Sequence, residues 1–114
     1  MSTGSLNGID ILFVAGFGPI TRAATQEQSR QLYQDTLRLP LQSMDGNPGY
    51  LHSDRIDGVK HLALWPLTQA SQSCFGIDDW PEHLPAPQCW LELEAADLVA
   101  ATATLKAAAY ALLP

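Results

Sequence analysis

The chain has 114 residues, 46% hydrophobic and 16% charged, with twelve acidic side chains against six basic ones and a net charge of −6. This length and composition describe one domain with a folded core and argue against disorder. The acidic balance argues against nucleic acid and anionic membrane surfaces as partners, since both need clustered Lys and Arg.

Residues 1–10, "MSTGSLNGID", have neither a basic n-region nor an apolar h-region, so they do not read as a signal peptide. No run approaches the roughly 18 apolar residues of a membrane span. Cys74 and Cys89 form no CxxC or paired metal spacing and read as reduced thiols. The expected compartment is the cytoplasm.

In chain order, "IDILFVAGFGPITR" (Ile9 to Arg22) is apolar, rich in β-branched and aromatic residues, and interrupted by Gly16, Gly18 and Pro19; it predicts a bent strand. A helix follows. Thr25 can cap it with Gln28 three residues on, Leu32, Tyr33, Thr36 and Leu37 recur at helical spacing, and Pro40 ends it. "LQSMD" and "GYLHSD" flank the turn signal "GNPG" and predict a hairpin. A further turn is expected at Asp57–Gly58. "VKHLALWPL" then predicts a strand with His61, Ala63 and Trp65 on one face and Leu62 and Leu64 on the other.

Residues 68–88 show no periodicity and carry three prolines, so a long connector is expected, with Trp80 and His83 as surface-packing or lid residues. In "CWLELEA", Cys89, Leu91 and Leu93 alternate with Trp90, Glu92 and Glu94 as in a half-buried strand. Asp97 can cap a final helix with Leu98, Ala101, Leu105 and Ala108 on its apolar face, and "YALLP" predicts a last strand. The order is β-α-β-β-β, a connector, then β-α-β.

This order resembles the vicinal oxygen chelate superfamily, the glyoxalase, bleomycin-resistance and extradiol dioxygenase group. The resembling stretches are "SRQLYQDTLRLPL" (Ser29 to Leu41) and "AADLVAATATLKAAAYALL" (Ala95 to Leu113). The resemblance implies an α+β fold of paired βαβββ modules with a curled mixed sheet around a shared cleft. Module one would span residues 9–67, the connector 68–88 and module two 89–114. The second module would be incomplete, βαβ only, lacking its final two strands. Arg38 and Ala109 stand where the family has a glycine after each helix, at positions that commonly adopt a left-handed conformation.

Metal-dependent members of that family take four ligands, from the first and last strands of each module. Here "GFGPITR" offers no His, Glu or Gln, the second module begins with Cys89 and Trp90, and its last strand is absent. Only His61 stands at such a position, so no metal and no cofactor is expected, and no catalytic residue is assigned. His52, His61 and Glu92 could form a different site or be ordinary sheet residues. The expected ligand-binding residues are Phe17, His61, Trp65, Trp90 and Glu92 on one concave face. Aromatic walls with a carboxylate suit a planar or cationic organic molecule, through stacking and cation–π attraction of roughly 0.5–2 kcal/mol per contact. The expected function is metal-free binding or sequestering of such a molecule by a homodimer. The alternatives are a metal-dependent lyase or dioxygenase of the same superfamily, and a truncated remnant acting only as a dimerising module.

Overall fold

Residues 9–112 are described by the structure, a computed structural model. The fold is α+β, built on a five-stranded mixed sheet that curls without closing. Strand β1 (Ile11–Thr21) leads through a 3₁₀ turn (Ala23–Thr25) into helix α1 (Gln26–Arg30), which continues as a π-helical stretch (Gln31–Thr36). Strands β2 (Gln42–Met44), β3 (Asn47–Ser53) and β4 (Leu62–Pro66) follow, then α2 (Leu67–Phe75), β5 (Cys89–Ala95) and α3 (Leu98–Ala107). The sheet order is β2-β3-β4-β1-β5, with β1 parallel to β4 and antiparallel to β5. Residues 9–66 therefore make a complete βαβββ unit, and β5 docks antiparallel on its first strand.

Local chemistry accounts for these elements and for their departures from expectation. The hairpin turn is Asp45–Gly46 rather than "GNPG": Met44 pairs with Asn47, and Gly46 takes φ 78°. A two-residue Asp-Gly turn matches the twist of its strands, so Asn47 and Pro48 are left to begin β3. Asp97 caps α3 as expected, its carboxylate accepting the Ala100 N–H at 3.0 Å. Thr25 makes no such bond, because the helical path already opens at Ala23.

The expected irregular connector contains α2. Gly76 stops this helix with φ 73°, and its buried residues are Ala70 and Ser71, too small to signal an apolar stripe. Asn47 and Gln69 exchange reciprocal amide hydrogen bonds of 2.9 and 2.7 Å, tying α2 to the start of β3. The expected final strand is not formed at Tyr110–Leu112, and Leu113 and Pro114 lie outside the described residues. On α3 only Ala101 is buried, while Leu98 and Val99 are exposed.

Arg38 and Ala109 both hold positive φ, 56° and 68°. After α3 the Ala109 N–H bonds the Lys106 carbonyl and the Tyr110 N–H bonds the Leu105 carbonyl, each at 3.0 Å. This is a Schellman closure with a Cβ-bearing residue where glycine is usual. After the first helix the Leu39 N–H reaches back to the Tyr33 carbonyl at 3.1 Å, which places Arg38 in the same left-handed turn.

The apolar core lies on the helix side of the sheet. Leu41, Leu51 and Leu64 are buried there, with Tyr33, Leu39 and Leu62 packed against them. Leu62 and Leu64 thus occupy the core face of β4, as their alternation predicts, and the other face is left for the cleft.

Candidate functional site

Register fixes which residues share the concave face. His52 lies opposite Ala63, Ile20 beside Trp65, Gly18 opposite Trp90 and Gly16 opposite Glu92. Tyr50 and His52 from β3, His61, Ala63 and Trp65 from β4 and the residue before it, and Trp90 and Glu92 from β5 therefore face one side.

The two glycines of "GFG" shape this face. The Trp90 indole passes over β1 and donates its Nε1–H to the Ala63 carbonyl at 3.0 Å. A Cβ at Gly16 would stand 3.0 Å from that ring and 2.9 Å from the His61 carbonyl oxygen. A Cβ at Gly18 would fall 1.8 Å from the Ala63 carbonyl oxygen, so the close approach of β1 to β4 there requires glycine. Trp65 meets Trp90 edge to face, with ring centroids 6.2 Å apart. These rings, with Tyr50, His61 and Glu92, line a cavity of about 260 Å³.

Four of the five residues expected to bind ligand, His61, Trp65, Trp90 and Glu92, come together in this cavity. Phe17 does not. It pairs with Leu62 and Leu91, and so projects from the opposite face. The reason is the crossing indole: the cleft side of β1 has to be empty at Gly16 and Gly18, which turns the intervening Phe17 away. Trp80 packs edge to face on Phe75 at 5.0 Å and donates to the Pro85 carbonyl, and His83 is exposed in the connector.

Sequence reasoning missed Tyr50 and Asp54. The Tyr50 hydroxyl lies 2.8 Å from His61 Nε2, and His61 Nδ1 lies 2.5 Å from Asp54 Oδ1. An ionised Asp54 can only accept, so Nδ1 carries a proton. In the neutral imidazole Nε2 is then the acceptor and Tyr50 the donor. The hydrogen bond from His61 holds the Asp54 carboxyl below the usual carboxylate range. Burial, and then the carboxylates of Glu92 and Asp54, push the Tyr50 phenol up from its ordinary value. The available signal was the alternation Tyr50-x-His52-x-Asp54, three polar or aromatic side chains on one face of a strand. Tyr50 stacks on His52 at 5.5 Å, which continues the aromatic row toward His61 and Trp90.

Among the described residues no group of three or more His, Cys, Asp or Glu is placed to hold a metal ion. Cys74 and Cys89 are free thiols. No helix among the described residues is long and apolar enough to cross a membrane. No family model, no curated protein and no solved structure matches the chain.

Proposed function

We propose that the chain is a metal-free protein that binds or sequesters a small aromatic or cationic organic molecule, of the glyoxalase and bleomycin-resistance type, acting in the cytoplasm as a homodimer. The observation that carries this reading is the pairing of Trp65 and Trp90 with the Glu92 carboxylate around one cavity. A flat ring can lie against the indoles while Glu92 attracts its positive charge. The βαβββ order of residues 9–66 and the left-handed turns at Arg38 and Ala109 support the family resemblance.

The sheet supports the pairing of copies. β5 ends the sheet, and Leu91, Leu93, Leu98 and Val99 around it are exposed. An open edge beside apolar side chains is most simply covered by a second copy about a two-fold axis.

The test is a titration of tryptophan fluorescence with 9-aminoacridine, a planar cation, and with anthracene carboxamide, a neutral planar molecule. Saturable quenching by the cation is expected, weaker for the neutral ring and reduced roughly threefold or more in Glu92→Gln. Quenching that does not saturate, or that ignores both Trp90→Ala and Glu92→Gln, overturns the reading.

A further inference from the structure

Trp65, Trp90 and Glu92 carry the proposed binding, and the contacts that Tyr50 and Asp54 make with His61 have no part in it. The antiparallel register that sets Ser53 against Leu62 continues to bring Asp54 opposite His61, while Tyr50 reaches over His52 to the other side of the imidazole. The result is a hydroxyl on Nε2 at 2.8 Å and a carboxylate on Nδ1 at 2.5 Å. A nucleophile bonded to a base that a third group orients is the arrangement that activates a hydroxyl for attack.

We propose that Tyr50 is an acyl-accepting nucleophile, with His61 as its general base and Asp54 as the residue that positions His61, and that the cleft takes neutral or cationic aryl esters. Tyr50 and His61 both line the cavity, so an acyl carbon bound there can meet the phenol oxygen. The aromatic part of the ester rests on Trp65 and Trp90, and Glu92 discriminates against anionic esters.

In the first step a lone pair of Tyr50 Oη adds to the acyl carbon as the phenol proton passes to His61 Nε2. The ester C–O bond then breaks, and the departing phenol leaves with that proton. In the second step water adds to the aryl ester on Tyr50, giving its proton to Nε2. The bond to Tyr50 breaks, and the phenol oxygen recovers the proton from the imidazolium. Asp54 stabilises the imidazolium in both steps, and no oxidant or other reactant is needed. This activity goes beyond binding; it rests on the same Trp65–Trp90 cleft as the reading proposed above, while acetylation of Tyr50 is read out separately from the binding of a cation.

The experiment exposes the protein to p-nitrophenyl acetate, follows p-nitrophenolate release, and quantifies acetyl groups on each tyrosine peptide after an acid quench. Tyr33 and Tyr110 are internal references that need no variant. Acetylation of Tyr50 should exceed theirs by about a hundredfold or more, the scale of general-base assistance. Release should fall to the background in Tyr50→Phe and His61→Ala and remain unchanged in His83→Ala. Asp54→Asn should slow release, with partial recovery in Asp54→Glu.

The ionisable groups facing His61 are Tyr50, His52 and Asp54 from β3 and the residue after it, and Glu92 from β5. With these in place the pH–rate profile should change in His61→Ala, its rise moving to the more alkaline range in which the Tyr50 phenol, pushed up by burial, ionises without a base. Tyr50 marked no faster than Tyr33 and Tyr110, with release unchanged in Tyr50→Phe, overturns the assignment. An unchanged pH profile in His61→Ala overturns it as well.

Discussion

Trp90 and Ala63 are joined by a hydrogen bond that crosses an intervening strand: the indole Nε1–H of β5 reaches the carbonyl oxygen of β4 at 3.0 Å, over the top of β1. The bond exists because β1 presents Gly16 and Gly18 beneath the ring. It converts a sheet face into a cleft wall and orients the indole toward Trp65.

Gly18→Ala should therefore destabilise the fold by roughly 1–3 kcal/mol, the usual cost of overpacking, because its Cβ meets backbone that cannot rotate away. Gly46→Ala, whose Cβ meets nothing within 4 Å, should cost only its backbone strain at φ 78°. Urea denaturation of the two variants gives the comparison; equal losses would remove the close-approach account.

Trp90→Ala should weaken the binding of a planar cation far more than His83→Ala does. Trp90 lines the cavity, and His83 is exposed in the connector. Calorimetric titration with 9-aminoacridine measures both, and similar losses would displace the site from the cleft.

Arg38→Gly and Ala109→Gly should each raise stability by up to about 1 kcal/mol, and Tm by a few degrees, since glycine relieves the left-handed strain that a Cβ imposes. Glycine also loses more entropy on folding, so a small net gain is the expected sign at these two sites alone. Unchanged or lowered Tm in both would show that the turns are held by something other than the helix ends.

The Asp54 carboxyl sits below the usual carboxylate range in the folded chain. A depressed folded value means that the native state favours the ionised form. The contribution is fully present above the unfolded value, about 3.9, and is lost as pH falls through the lower folded value. Tm of the wild type and Asp54→Asn should thus differ at pH 6 and converge toward pH 2.5. Parallel curves over that range would mean that the Asp54–His61 contact adds nothing to the fold.

Light scattering coupled to size exclusion should report a mass near twice 12.4 kDa at micromolar concentration. Leu91→Lys together with Val99→Lys should yield the monomer, since both side chains are exposed beside the open edge of β5. A wild-type monomer would refute the pairing.

The strands of the first unit were legible because their side chains alternate between two different demands. Leu62 and Leu64 answer to the core, and His61, Ala63 and Trp65 to the cleft. The left-handed helix ends at Arg38 and Ala109 fall at the two positions where the family resemblance led such a conformation to be expected. Helix α2 was not, because a helix that seats only Ala70 and Ser71 needs no apolar stripe. Phe17 was misplaced because its neighbours' emptiness serves an indole from a strand some seventy residues later, which no local pattern records. Asp54 and Tyr50 left a local sign in their alternation with His52, but their common partner, His61, is met only through strand register.

The buried cluster of Leu41, Leu51 and Leu64 lies wholly within residues 9–66, whereas the cleft needs β5. The two can therefore come apart. Peeling β5 from β1 breaks one ladder and the Trp90 bond while leaving that cluster closed. In amide hydrogen exchange, β5 would report a local opening of lower free energy than the global unfolding that frees β3 and β4. An occupant resting on Trp90 and Glu92 would hold β5 to the sheet and slow its exchange, so that the local opening would report occupancy of the cleft.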